Sequence, residues 1–104
     1  MGFFGIASKE ASALVEGLYT RSEVPGKIIS KSYGLIYYTK KGIAGDITKE
    51  IDKIFQNLLN IAKEKGANAV INVRMMTGSY QQQGSGWEVT YITVYGEAVV
   101  LEDK

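Results

Sequence analysis

The residue pattern predicts an α+β domain with a β-α-β-β core, and three features carry that expectation. Residues 46–65 repeat apolar side chains at helical spacing. A run rich in Ile and Tyr precedes them. Two further β-prone runs follow, parted by a polar Ser, Gln and Gly stretch. One long helix of this kind covers one face of a small, mostly antiparallel sheet.

Ahead of the core lies an extension, residues 1–23. Phe3, Phe4, Ala7, Ala11, Leu14, Val15 and Leu18 share one helical stripe. Ser8 suits an N-cap and Gly17 a stop, so a short N-terminal helix is expected over residues 8–16. Its polar face is not rich in Lys or Arg as a membrane-surface helix is, which favours packing of the stripe on the domain. Residues 18–24 read as a short extended piece that Pro25-Gly26 ends.

The first strand is expected over residues 27–39, where Ile28, Ile29, Tyr33, Leu35, Ile36, Tyr37 and Tyr38 gather. Gly34 inside it predicts a bulge or a close backbone approach. Residues 40–45 read as a loop. The helix then runs over 46–65, with Ile47, Ile51, Ile54, Phe55, Leu58, Ile61 and Ala62 on its apolar stripe. Asp46 would cap its start, Lys63 and Lys65 favour its last turn, and Gly66 ends it. A second strand follows over 67–76, with Ala69, Ile71 and Val73 expected to face Phe55 and Leu58. Residues 77–86 read as a polar hairpin loop. The last strand is expected over 87–101, and its alternation slips at Tyr91-Ile92, which a bulge or burial of both faces would explain. Residues 102–104 read as a frayed tail. The chain thus divides into the extension 1–23, the domain 24–101 and the tail 102–104.

Composition narrows the chemistry. Among 104 residues there are 12 basic and 11 acidic, for a net charge of +1, too little to hold a polyanion such as nucleic acid. There is no Cys and no His. That removes disulfides, thiolate and imidazole metal ligands, and the Ser-His-Asp and Cys-His catalytic arrangements. No metal and no cofactor is therefore expected. No apolar run reaches the roughly 18 residues of a membrane span. Lys9 and Glu10 interrupt the first apolar stretch, and Ile6 stands where a myristoylation signal needs Ser or Thr. The cytoplasm is the expected location.

The candidate ligand-binding residues are Arg74, Trp87, Glu88, Tyr91 and Glu97. Arg74 lies mid-strand among apolar neighbours, where it pairs with a carboxylate or holds an anion. Glu88 and Glu97 lie in the last strand, nine residues apart and of opposite parity. That spacing favours separate ion pairs over a two-carboxylate acid–base site. Trp87 and Tyr91, with Tyr33, Tyr37, Tyr38 and Tyr95, supply the aromatic surface of a pocket, a core or an interface. Residues 40–45 lead into a helix start but lack phosphate-loop spacing.

Short glycine-based motifs carry a family resemblance. Lys65-Gly66-Ala67-Asn68-Ala69-Val70 resembles the "LGANAVV" signature of the YbjQ-like family. Tyr95-Gly96-Glu97-Ala98-Val99 is similar to that family's terminal "GTAV" strand, with Glu97 in place of Thr. Pro25-Gly26-Lys27-Ile28-Ile29 and Tyr33-Gly34-Leu35-Ile36 resemble its opening strand and "GVV" segment, and the likeness spans residues 24–101. The Gly-rich insert usual between first strand and helix is shortened to residues 39–45. The resemblance implies a subunit shaped like the dodecins, assembled as a ring of five, in a family described as heavy-metal-binding, with no catalytic residue to carry over.

One helix leaves the other sheet face bare, with Arg74, Met76, Asn72, Tyr91 or Ile92 and several tyrosines on it. That much apolar surface calls for cover by the N-terminal helix or by another subunit. The leading expectation is a homo-oligomer, its role lying in assembly or in binding a small ligand between subunits. The alternatives are a small enzyme using carboxylate, Lys or Tyr groups at the interface, and a protein that docks on a membrane or partner through its N-terminal helix.

Overall fold

The computed structural model describes residues 16–43, 47–81 and 88–104. The expected helix over residues 8–16, the proposed cap Asp46 and Trp87 lie outside these, Glu16 alone excepted. The described chain forms strand β1 (Lys27–Ile43), a 3-10 turn (Ile47–Glu50), helix α1 (Ile51–Lys65), strand β2 (Ala69–Gln81) and strand β3 (Glu88–Asp103). The sheet is antiparallel, in the order β1-β3-β2. This is the expected α+β core.

Three strand ends differ from expectation because the strands run longer. Lys40, Lys41 and Gly42, read as loop, pair with Ile92, Tyr91 and Thr90. Thr77 to Gln81, read as part of the hairpin loop, pair with Ile92 to Glu88. The polar side chains at these places reflect a sheet end that the helix does not cover. The tail is also strand: Asp103 pairs with Lys27, with an ion pair between their side chains, and the Lys104 amide donates to the Gly26 carbonyl at 3.0 Å. The helix proper starts later, because residues 47–50 wind as a 3-10 turn and Glu50 makes no side-chain cap.

The helix ends as its sequence requires. Gly66 adopts φ 103°, its amide donates to Lys63 and that of Ala67 to Ala62, each at 3.0 Å, which is the Schellman pattern. Two residues on, Asn68 splices helix to sheet. Its side-chain amide donates to the Leu101 carbonyl at 3.0 Å and its Oδ1 accepts the Leu101 amide at 2.8 Å, imitating one rung of a ladder.

The core lies between α1 and one sheet face. Ile54, Leu58 and Ala62, at helical spacing, are all buried, as is Ile47 in the 3-10 turn ahead of them. They meet Ile36 of β1, Val70 and Val73 of β2, and Ile92, Val94 and Ala98 of β3. Phe55 is only half-buried at the flank. Ala69 and Ile71, expected beneath the helix, instead pack with Val99 on the opposite face, against Tyr19 and Val24.

A bulge is the reason. Ile71 pairs with Glu97 but Arg74 pairs with Tyr95, so Asn72 and Val73 together oppose Gly96. Asn72 takes φ 55°, a left-handed value that Asn tolerates. The extra residue exchanges the faces, so that Val70 before it and Val73 after it both reach the helix. No bulge occurs at Tyr91-Ile92, where alternation is regular: Ile92 and Val94 lie under the helix, Tyr91 and Thr93 on the other side. β1 carries two further irregularities, which skip Ser30 and Tyr33.

Candidate functional site: the open sheet face

Register assigns the side chains of the face opposite α1. It runs in rows across β1, β3 and β2: Leu35, Glu97, Ile71; Tyr37, Tyr95, Arg74; Thr39, Thr93, Met76; Lys41, Tyr91, Gly78; Ile43, Val89, Tyr80. The hydroxyls of Thr39 and Thr93 meet at 2.8 Å, as neighbours in one row should.

Among the described residues only one end of this face is covered. Residues 17–21 run beside the start of β2, where the Tyr19 amide donates to the Val70 carbonyl at 2.9 Å and the Val73 amide to the Tyr19 carbonyl at 2.9 Å. Tyr19 and Val24 then fold over Ala69, Ile71, Val99 and Leu101. Beyond that cover the apolar side chains are bare: Leu35 is 73% exposed, Tyr37 66%, Met76 52% and Tyr80 48%. A soluble monomer seldom shows a continuous apolar patch of this kind.

The structure spreads the predicted site residues along this sheet. Glu97 lies at the covered end, where its Oε2 accepts a hydrogen bond from Ser32 Oγ at 2.6 Å. It borders a shallow cavity of about 320 Å³ with Gly34, Leu35, Asn72, Tyr95 and Gly96. Arg74 stands beside Tyr95, one row away. Its expected carboxylate partner is absent among the described residues: Nη1 donates instead to the carbonyls of Thr20 and Val73, each at 2.9 Å. Arg74 therefore clasps the incoming segment to the bulge. Tyr91 lies across Gly78, where the missing side chain makes room for its ring. Glu88 is at the far end of β3, accepting from Ser79 Oγ at 3.2 Å, with no lysine or arginine partner among the described residues. Nine residues of strand separate Glu88 from Glu97, a span of about 30 Å, so the two carboxylates cannot act on one bond. Trp87 is outside the described residues.

Asn72 and Gly96 are site residues that the sequence reading did not single out. No signal in the sequence marks the bulge, since Ile71 and Val73 flank Asn72 in regular alternation.

The donor chemistry is that of carboxylates, hydroxyls and amides. Among the described residues no three acidic side chains come together to hold an ion. With no Cys or His in the chain, soft metals find no thiolate or imidazole. Among the described residues no helix is long and apolar enough to cross a membrane.

The fold and its bare face define a small α+β protein built on a three-stranded antiparallel sheet with a single covering helix. Residues 41–102, more than half of the chain, match the YbjQ family, described as "Putative heavy-metal-binding". The protein belongs to this family. Its fold is similar to a crystal structure, at 2.73 Å resolution, of a protein of unknown function of the DUF74 family from Pediococcus pentosaceus ATCC 25745. The two share 17% identity with a TM-score of 0.54, over 82% of this chain and 96% of that one. No curated protein matches the chain. The residues present do not fit the heavy-metal description of the family, since the chain has no thiolate and no imidazole ligand.

Proposed function

We propose that this protein works as a homo-oligomer, a ring of five subunits as the family resemblance implies, in which the open sheet face turns inward between subunits. The observation that supports this most directly is the bare apolar row structure of that face, with Leu35 73% and Tyr37 66% exposed in the single chain. Burying such side chains is worth roughly 25 cal/mol per Å² of apolar surface, which favours association strongly over solvent exposure. The role of the assembly is to present a small-ligand site between subunits. The cavity beside Glu97 and Asn72 is the place for it, with Tyr95 as a stacking surface. The family description favours metal binding, but the donor set here supports an organic ligand with hydrogen-bond donors for Glu97 instead.

Native mass spectrometry of protein from its own host tests the reading in one measurement. A five-subunit mass with a retained small molecule is the expected result. A single-chain mass at micromolar concentration overturns it.

A further inference from the structure

We infer that the cavity beside Glu97 takes an organic cation, an ammonium group joined to an apolar body, with the Glu97 carboxylate as its counter-charge. The proposal rests on the small-ligand reading above and names the class of ligand.

Two bulges mark this place. In β1 the register slips between Ser32 and Gly34, and in β2 between Ile71 and Arg74. Glu97 pairs with Leu35 on one side and with Ile71 on the other, so it stands on the central strand with a bulge close by in each flanking strand. Bulges re-aim side chains and gather next to functional sites. Asn72, in the second bulge, is the one non-glycine residue with positive φ among the described residues. Its amide donates to the Arg21 carbonyl at 3.1 Å, which ties that conformation down. Backbone held in a sparsely populated conformation is a second mark of a binding site. In the first bulge Gly34 takes φ 87°, and a Cβ there would meet nothing within 4 Å. Space is therefore open beside Gly34, which lines the cavity.

The carboxylate is held but not neutralised. The Gly34 amide donates to Ser32 Oγ at 3.1 Å, and Ser32 Oγ donates in turn to Glu97 Oε2 at 2.6 Å. This chain fixes the side chain through one oxygen. Among the described residues no lysine or arginine forms an ion pair with Glu97. Arg74, which pairs with Tyr95 in register, directs Nη1 to the Thr20 and Val73 carbonyls instead.

The chemistry of these groups selects the ligand. A carboxylate only accepts, and it has about four lone-pair sites to fill. A ligand that covers it without bringing charge leaves it desolvated and unpaired. A second anion is repelled. An ammonium supplies both charge and N–H donors, and charge-assisted hydrogen bonds are the stronger kind. The other walls suit the rest of such a molecule. Leu35 is an exposed apolar side chain, and Tyr95 offers a ring whose face attracts a cation. Every residue that lines the cavity belongs to one chain, so the site is complete in a single copy.

The test uses three probes with one phenyl body: cationic 2-phenylethylamine, neutral 2-phenylethanol and anionic 3-phenylpropanoate. Each is titrated into the full chain at neutral pH and followed by amide NMR, with sedimentation equilibrium on the same samples. The expected result is saturable shifts at Gly34, Asn72, Gly96 and Glu97 with 2-phenylethylamine. Its affinity should exceed that of the other two by about tenfold or more, the worth of one hydrogen bond to a charged group. Glu97→Gln can still accept from Ser32 and should remove that preference, whereas Glu64→Gln on the exposed side of α1 should keep it. Equal affinity for the three probes, no saturable shift at these residues, or an unchanged preference in folded Glu97→Gln overturns the proposal. So does loss of the assembly in Glu97→Gln, which would make Glu97 one half of an ion pair between subunits. Should Glu97→Gln not fold, the ranking of the three probes in the unaltered protein decides alone. A single-chain mass with the expected ranking supports the cation site and ends only the homo-oligomer reading.

Discussion

The bulge at Asn72 needs a backbone with no side chain across from it, and Gly96 supplies one. A Cβ on Gly96 would lie 2.6 Å from Val70 Cγ1 and 2.8 Å from the Ile71 carbonyl oxygen. The second of these is main chain and cannot rotate away. Gly96→Ala should therefore destabilise by about 1–3 kcal/mol, as overpacked core positions do, and chemical denaturation will measure it. A second residue-scale expectation concerns the ion pair that ties the two chain ends of the sheet. The hydrogen bond from Lys27, and then its charge, hold the Asp103 carboxyl below its ordinary value, while the same bond raises Lys27. A carboxyl depressed in the folded state stabilises above its unfolded pKa, and that contribution is lost as pH falls through the folded one. Carboxyl-carbon NMR should show Asp103 titrating below the ordinary carboxylate range, and Lys27→Met should return it upward. No movement in Lys27→Met would show that the pair does not form in solution.

Helix α1 is expected to be the main stabilising element, with its centre set by burial rather than by bulk. Leu58 is wholly buried between Ile54 and Ala62, whereas Phe55, equally central in the stripe, lies half-buried at its edge. Leu58→Ala removes transfer energy and leaves a cavity with little means of collapse, so a loss of about 2–5 kcal/mol is expected. Phe55→Ala should cost less, because solvent and neighbouring side chains fill the space. Denaturant midpoints of the two variants check the order, and a larger loss for Phe55→Ala would mean that the helix is rotated from the position described. The helix was legible in the sequence because a fifteen-residue amphipathic run carries its own period. Its first turn was not, since a 3-10 turn and an α-turn place the same apolar residue, Ile47, toward the core.

At the scale of the whole molecule the unsatisfied feature is the open face. Leu35 is 73% exposed, so Leu35→Glu should leave the single chain's stability within about 0.5 kcal/mol, as surface changes do. In an oligomer that buries this face, the same change places a charge among apolar side chains and should separate the subunits. Sedimentation equilibrium distinguishes the two outcomes, and an unchanged mass would place the subunit contact elsewhere. Stability that rises with protein concentration in the original protein, and no longer does so in Leu35→Glu, would accompany dissociation. A second whole-molecule expectation follows from donor chemistry. Untagged protein should show no sub-micromolar binding of zinc or copper by calorimetry, because carboxylates alone hold such ions weakly.

The sequence by itself determined the element order, the helix and its glycine stop, and the absence of thiol and imidazole chemistry. Each of these is local: a period, a cap residue or a residue count is complete within a few turns of chain. Strand ends were not legible, because residues 40–43 and 77–81 look like loop until a partner strand supplies their hydrogen bonds. The candidate site was legible only in part. Glu97 and Arg74 were visible as charges in apolar strands, yet Arg74 turned out to hold two carbonyls and Glu88 to stand about 30 Å from Glu97. Which side chains face the helix was decided by the tertiary structure alone. Val70 and Ala69 are adjacent and both apolar, and parity from either is self-consistent along one strand. Only the pairing with β3, where two residues must fit opposite Gly96, exchanges the faces and gives Asn72 its conformation. The reason is that strand parity is a period of two with no phase of its own, and the phase comes from the partner.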